Sequence, residues 1–121
     1  MTPRKWDVAW AGLDPTHGRE QAGRRPVLVL CNDRISALIS LVTVLPITTL
    51  KKGRRVYPTE VVIPAGRASL AAESLVLCHQ IRTIAVERLS TPAGRVEEPG
   101  LRQAVEKALR LWLDFEAEAG S

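Results

Sequence analysis

Short runs of apolar and β-branched residues recur along the first two thirds of this 121-residue chain, each bounded by turn-forming residues. Runs of this length favour strands over helices. The predicted strands cover residues 6–10, 27–31, 39–47, 57–63 and 74–81. Pro46 should mark the end of the third strand or an edge, because proline cannot donate to a β-ladder. Five short strands at this spacing predict a small barrel or sandwich.

The hydrophobic period changes after Glu97 and Glu98. Apolar residues then recur at helical spacing, at Leu101, Ala104, Val105, Ala108, Leu109, Trp112 and Leu113. Acidic residues at the start and Pro99 near the first turn suit a helix N-terminus. Since the apolar stripe must cover something, we expect a strongly curved antiparallel sheet of about five strands, closed into a barrel and capped by this helix. Residues 116–121 should fray.

The length and the apolar content of 45% suit one domain over residues 1–121. No apolar stretch approaches the roughly 18 residues needed to span a bilayer, and the first ten residues contain no apolar signal-peptide core. We therefore expect a cytoplasmic protein. Cys31 and Cys78 lie inside apolar runs and are expected to be reduced, buried thiols.

Positive charge is concentrated in the body of the chain. Residues 1–96 hold 14 Lys and Arg against 7 Asp and Glu, whereas residues 97–121 hold 3 against 6. The basic residues in predicted loops are Arg19, Arg24, Arg25, Lys51, Lys52, Arg54 and Arg55. They could follow a phosphate backbone, or simply form a solvated basic surface.

Arg25 stands directly before the second predicted strand, at the end of a long loop. Loops held by a rigid strand commonly carry function, and a guanidinium presents fixed donors that match a phosphate. The partner should therefore carry phosphates. The alternative is a structural arginine paired with a carboxylate such as Glu20.

Thr48 lies two residues past Pro46 at a predicted strand end, where its hydroxyl could hold a phosphate oxygen. Threonine is also common there for its strand propensity alone. The two histidines, His17 and His79, are far apart, and no paired aspartates accompany them. The sequence thus predicts no metal site and no cofactor.

Several motifs, in order and spacing, resemble the MazF/PemK family of toxin endoribonucleases over roughly residues 6–113. They are Leu13-Asp14-Pro15-Thr16, Gly18, Glu20-Gln21-Ala22-Gly23, Arg25-Pro26, Leu45-Pro46-Ile47-Thr48-Thr49, Ser74-Leu75 and Gln80-Ile81-Arg82-Thr83. The chain departs from the family pattern at Trp6 (usually Gly), at Gly12 (usually acidic) and at His79 (usually a carboxylate).

The resemblance implies an SH3-like toxin barrel that cleaves single-stranded RNA at a short sequence without a metal, by attack of the 2'-OH. It would leave 2',3'-cyclic phosphate and 5'-OH ends and inhibit translation and growth. Catalysis would centre on Arg25 and Thr48, with Glu20 as base or as orienter of Arg25. The implied RNA-contacting residues are Thr16, Gln21, Arg24, Asn32, Thr49, Lys51, Lys52, Arg54, Arg55, Ser74, His79, Gln80 and Arg82. The expected partners are a second copy of the chain and a MazE-type antitoxin with an acidic, disordered tail.

His79 is a second candidate base, because an imidazole titrates near neutral pH. It could equally be an ordinary polar residue turned outward. Two other functions remain open at this point: a toxin of the same fold that acts on a protein such as gyrase, and an RNA-binding barrel without catalysis. Incubation of the protein with a long RNA in EDTA tests these alternatives: discrete fragments support the endoribonuclease, and intact RNA favours the other two functions.

Overall fold

The computed structural model describes residues 3–13, 17–21 and 23–115. The strands are β1 (Asp7–Gly12), β2 (Arg24–Val29), β3 (Leu41–Thr49), β4 (Glu60–Ile63), β5 (Ser74–Leu77), β6 (Arg82–Ala85) and β7 (Gly94–Arg95). The helices are α1 (Asp33–Ile39) and α2 (Pro99–Leu113), with 3₁₀ turns at Cys78–Gln80 and Val86–Arg88. Two predictions, RNA contact by Thr16 and fraying of residues 116–121, lie outside the described residues. No described helix is both long and apolar enough to cross a membrane.

The strands form one antiparallel sheet in the order β4-β5-β3-β2-β1-β7, with β6 also paired to β3. The sheet curls into a half-barrel, and α2 packs against β4 and the 3₁₀ turn after β5. The predicted class, mainly β with a C-terminal helix, is confirmed. The predicted count of five strands is wrong, because β6 follows β5 after only a short 3₁₀ turn and was not separated from it, and β7 has only two residues.

Pro46 does not end β3, contrary to the prediction; it lies inside a central strand, opposite Val27 of β2. On the other side, β3 pairs with β6 as far as Val44 and with β5 from Ile47 onward. Pro46 therefore falls where the neighbour changes. On that side neither β5 nor β6 pairs with Pro46, and such an unpaired position is one where a strand tolerates proline.

The segment before β3 is helical and was missed. Asn32 caps α1: its Oδ1 accepts from the amides of Arg34 at 3.0 Å and Ile35 at 3.1 Å. Ser40 then ends the helix in the left-handed region, with φ of 57°. Ile39, predicted to begin a strand, is the last residue of α1, because a cap and a left-handed stop outweigh the strand propensity of its β-branched side chain.

Other predicted boundaries shift as well. β2 begins at Arg24, so Arg25 lies within a strand and not before it. β4 begins only at Glu60, and β5 ends at Leu77, before the 3₁₀ turn.

Two apolar clusters hold the sheet together. The larger contains Val8, Leu28, Leu45, Ile47 and Val76 and is covered by α2 through Val105 and Ala108. The smaller contains Ala11, Leu13, Val27, Val29, Val42, Val44 and Ile84. The predicted apolar face of α2 is confirmed from Leu101 to Leu109. It is wrong at the end of the helix, where Trp112 and Leu113 are 51% and 45% exposed.

Candidate active site

Arg25 and Thr48 face each other across adjacent strands. The β2–β3 pairing ends at Val27 and Pro46, and Arg25 and Thr48 each lie two residues beyond that pair. Nη1 of Arg25 lies 3.5 Å from Oγ1 of Thr48, at the long limit for a hydrogen bond. Both side chains are half-buried. A guanidinium and a hydroxyl are thus presented together on a rigid sheet.

A cleft of about 410 Å³ surrounds this pair. It contains five of the predicted site residues: Arg24, Arg25, Thr48, Thr49 and Ser74. Ser74 lies opposite Thr49 in the β3–β5 pairing, and its hydroxyl donates to the carbonyl of Ala72 at 2.8 Å. With Ser69, which also lines it, the cleft therefore brings together two arginines, of which Arg24 is exposed, and four hydroxyl side chains.

Trp10 also lines this cleft and is 42% exposed. It was not among the predicted site residues. Strand alternation groups Trp10 with Trp6 and Val8, which are both buried, so no pattern in the sequence indicated that its ring would be exposed. An exposed indole beside two arginines is a surface on which a base can stack.

A second cavity, of about 240 Å³, contains Glu20, Gln21, His79, Gln80 and Arg82, all predicted site residues. Pro46 lines this cavity and Thr48 lines the first one. These two residues are two apart on β3 and share a face, on the order of 7 Å from each other. The two cavities therefore lie next to one another along β3.

The two candidate bases have different surroundings. The carboxylate of Glu20 is exposed and makes no hydrogen bond or ion pair with any described residue, so the alternative of a structural Arg25–Glu20 pair is not observed. His79 is half-buried. Its Nδ1 lies 2.9 Å from Oγ1 of Thr59, and its ring meets that of Trp112 edge-on at 6.0 Å.

Gln80 and Arg82 contact the protein's own backbone. Oε1 of Gln80 accepts from the amide of Gln21 at 2.7 Å, and Nε2 donates to the carbonyl of Arg19 at 3.4 Å. Nη1 of Arg82 donates to the carbonyl of Leu13 at 2.8 Å. Both side chains therefore hold the long β1–β2 loop, a role that the motif alone did not indicate.

The basic segment after β3 divides into two parts. Lys51 and Lys52 are exposed, as expected of phosphate contacts. Arg54, by contrast, forms an ion pair with Glu60, and Arg55 lies 5.6 Å over the ring of Tyr57. The hydrogen bond from Arg54 holds the pKa of the Glu60 carboxyl below its usual value, and Glu60 in turn raises the pKa of Arg54.

Asn32, predicted to contact RNA, is not brought to either cavity. Its side chain caps α1, and it lines a separate surface cleft with Lys5, Cys31 and Arg34. Both cysteines are free thiols, as predicted, but only Cys78 is fully buried. Among residues 3–13, 17–21 and 23–115, no group of three or more His, Cys, Asp or Glu is placed to hold a metal ion.

Comparison with known proteins agrees with this geometry. Residues 4–113 match the family of PemK-like, MazF-like toxins of type II toxin-antitoxin systems. The chain is 36% identical to endoribonuclease MazF9 of Mycobacterium tuberculosis over 117 residues, which cover 93% of this chain and 97% of that one. It is 34% identical to endoribonuclease EndoA of Bacillus subtilis over 113 residues, covering 93% and 96%.

Solved structures show the same likeness. The crystal structure of MazF from Deinococcus radiodurans superimposes with a TM-score of 0.78 at 27% identity, over 95% of this chain and 99% of that one. A MazE–MazF complex from the same organism gives a TM-score of 0.68 at 26% identity, over 96% and 99%. The predicted resemblance is therefore confirmed, and the chain belongs to the family of PemK-like, MazF-like toxins of type II toxin-antitoxin systems.

Proposed function

We propose that this chain is an endoribonuclease that cleaves single-stranded RNA at a short sequence. The observation that carries the proposal is the placement of Arg25 Nη1 3.5 Å from Thr48 Oγ1 inside a cleft lined by further polar groups. The names of two relatives, each aligned over more than nine tenths of this chain, support it, since both are endoribonucleases.

The proposed reaction is an internal transesterification. The ribose 2'-oxygen attacks the adjacent phosphorus, a base takes the 2'-OH proton, and the bond to the 5'-oxygen breaks as that oxygen gains a proton. The products are a 2',3'-cyclic phosphate and a 5'-OH end. Arg25 stabilises the charge that develops on the phosphorane, and the Thr48 hydroxyl holds a non-bridging oxygen in place. No step needs a cofactor.

Glu20 is the base that we favour. Its carboxylate is exposed beside the cleft, whereas the His79 ring is held between Thr59 and Trp112. Neither side chain lines the Arg25 cleft in the protein without RNA, but catalytic contacts often tighten only when substrate is bound.

The RNA strand would cross both cavities along the face of β3. Arg24 and Lys51–Lys52 would neutralise phosphates, Trp10 would stack on a base, and Gln21 would face a base edge from the second cavity. The distance between Pro46 and Thr48 on this face is similar to the spacing of successive nucleotides. When one phosphate contacts Arg25, the base of a neighbouring nucleotide can therefore enter the second cavity.

We also place this chain in a homodimer that is neutralised by an antitoxin. The exposed apolar residues of α1, Ile35, Leu38 and Ile39, are 54%, 83% and 56% exposed, which suits a protein contact. An acidic, disordered antitoxin tail could fold onto the basic cleft and compete with RNA for the same cations. The MazE–MazF complex among the similar structures supports this choice of partner.

The decisive experiment is incubation of the purified protein with a long RNA in EDTA, with the ends mapped by primer extension. Discrete fragments bearing 5'-OH and cyclic phosphate ends are expected from the wild type and not from Arg25→Ala. Intact RNA would contradict the proposal. If the intact RNA is bound by the protein, the result would favour a barrel that binds RNA without cleaving it. If the RNA is not bound, the result would favour a toxin that acts on a protein target.

A further inference from the structure

The described parts of the β1–β2 loop, Leu13 and residues 17–21, are each contacted by a side chain from one short segment. Gln80 is the last residue of the 3₁₀ turn and Arg82 is the first residue of β6. Gln80 contacts the far part of the loop, at Arg19 and Gln21, and Arg82 contacts its start, at Leu13. A segment of three residues thus spans the loop.

The base of the loop is firmly anchored in the fold. Leu13 is fully buried with Ile84 in the smaller apolar cluster, and its amide donates to the carbonyl of Gly23 at 3.0 Å. Arg82 is fixed in turn by the pairing of β6 with Val44 of β3. Because β3 also carries Thr48, the loop and the catalytic strand share one rigid support.

Among the described residues, the side-chain hydrogen bonds of Gln80 and Arg82 all go to backbone atoms. Gln80 uses its amide oxygen on one peptide N–H and its amide nitrogen on one carbonyl, and Arg82 uses Nη1 on one carbonyl. Hydrogen bonds to the backbone fix the path of a loop and do not depend on which side chains the loop carries. The loop they fix carries Glu20 and Gln21, which form one wall of the second cavity.

We propose that Gln80 and Arg82 are positioning residues that hold residues 17–21 of the β1–β2 loop at the second cavity, so that Glu20 and Gln21 are in place before RNA binds. This inference rests on the proposed endoribonuclease function and deepens it. It replaces the expectation that the two side chains act as direct RNA contacts.

A loop that is held in place before RNA binds should affect the kinetics of cleavage in a specific way. Loop ordering that is already present in the free protein does not have to be provided by substrate binding. Without the contacts of Gln80 and Arg82, RNA should still bind through Arg24, Lys51 and Lys52. Glu20, however, would be aligned in a smaller fraction of the complexes. The loss should therefore appear in kcat and leave KM nearly unchanged.

The first test is hydrogen–deuterium exchange of the protein without RNA, in Gln80→Ala and Arg82→Ala. The Gln21 amide is the sharpest reporter, because Arg82 does not touch it. Faster exchange at residues 17–21 in both variants is expected. Exchange as in the wild type in Arg82→Ala would overturn the proposal. Gln103→Ala and Arg110→Ala, exposed residues of α2, are the matched controls and should change nothing.

Conservative variants keep the test decisive if an alanine variant fails to fold. Arg82→Lys should restore slow exchange and activity, because a single carbonyl acceptor can be served by an ammonium, whereas a bidentate phosphate clamp is poorly served by one. Gln80→Glu keeps the acceptor for the Gln21 amide and loses the donor to Arg19, so it should fall between wild type and alanine. An Arg82→Lys variant as impaired as Arg82→Ala would count against the proposal.

Kinetics on a short RNA complete the design. Each alanine variant should lose about three- to tenfold in kcat, the usual effect of one hydrogen bond. The salt dependence of RNA binding should stay at the wild-type slope. A slope lowered by about 0.7 in Arg82→Ala, the value for one phosphate contact on a single strand, together with unchanged exchange, would make Arg82 a direct RNA contact. If the wild type cuts no RNA, the proposed function fails, while the exchange measurement still decides the role of the two side chains.

Discussion

Arg54 and Glu60 form a two-point ion pair, with Nη1–Oε1 and Nη2–Oε2 both at 2.9 Å. The Glu60 side chain is 1% exposed, and its Oε1 also accepts from the amide of Tyr57 at 2.9 Å. The pair closes the segment between β3 and β4 onto the body of the sheet. Arg54 therefore has a structural role, although the sequence groups it with the basic residues expected to contact RNA.

Removing either partner should destabilise the fold, and Arg54→Ala should do so more than Glu60→Gln. The first leaves a buried carboxylate unpaired, at a cost of about 3 kcal/mol, whereas the second leaves an arginine that can turn to solvent. Urea unfolding at pH 7 measures the difference. Equal effects, or a stable Arg54→Ala, would contradict a structural role.

The same pair predicts how stability depends on pH. Because the pKa of Glu60 is lower in the folded state, its contribution is fully present above the unfolded value of about 4.3 and is lost as the pH falls through the folded value. Stability should drop on acidification below about pH 4, and less steeply in Glu60→Gln. Glu73→Gln, at an exposed position, is the control and should keep the wild-type slope.

Lys51 and Lys52 should supply affinity without sequence preference, since both are exposed and lysines neutralise any phosphate. Neutralising both should weaken RNA binding and lower the slope of log K against log salt by about 1.4, or 0.7 for each contact. The cut sites should not move. A changed cleavage pattern, absent in the matched variant Lys107→Gln on α2, would show that this segment reads bases.

Arg25→Ala should lose about two to three powers of ten in cleavage rate, as expected for a donor that meets developing charge. Its circular dichroism and melting temperature should remain close to wild type, because the side chain is half-buried at a cleft and fills no core. Cleavage at the wild-type rate would remove Arg25 from the mechanism. Loss of the circular dichroism signal of the folded protein would show that Arg25 is needed for folding and not for catalysis alone.

The pH profile should identify the base. We expect Glu20→Gln to lose the acidic limb of the rate profile and His79→Gln to keep it, because the His79 ring is already held by Thr59 and Trp112. Rates from pH 3.5 to 9 on one RNA provide the measurement. A limb that disappears only in His79→Gln would transfer the role of base to His79.

The two thiols should differ in reactivity. Burial raises the pKa of Cys78 to about 12, so almost no thiolate exists at neutral pH. Cys31 is half-buried and lines an open surface cleft. Iodoacetamide followed by mass spectrometry should therefore modify Cys31 first and Cys78 only after unfolding. Native Cys31→Ser should remain unlabelled, and labelling of Cys78 there would contradict its burial.

Much of the site was predictable because its parts are local. Arg25-Pro26 and Pro46-Ile47-Thr48-Thr49 are short motifs whose meaning depends on residue type and order, and both segments reach the same cleft. The roles of Gln80 and Arg82 were not predictable in the same way. Their hydrogen-bond partners are 59 to 69 positions away in the chain, and no local pattern specifies such contacts.

The sequence by itself determined the β-rich architecture, the C-terminal helix and the family, because hydrophobic periods and ordered motifs are properties of neighbouring residues. Only the tertiary structure decided that Pro46 is tolerated inside a central strand, that Arg54 pairs with Glu60, and that Arg25 lies opposite Thr48. Each of these depends on which strands pair and in which register. Register is set by long-range burial of one sheet face against another, so it is decided by the whole chain and not by any one segment.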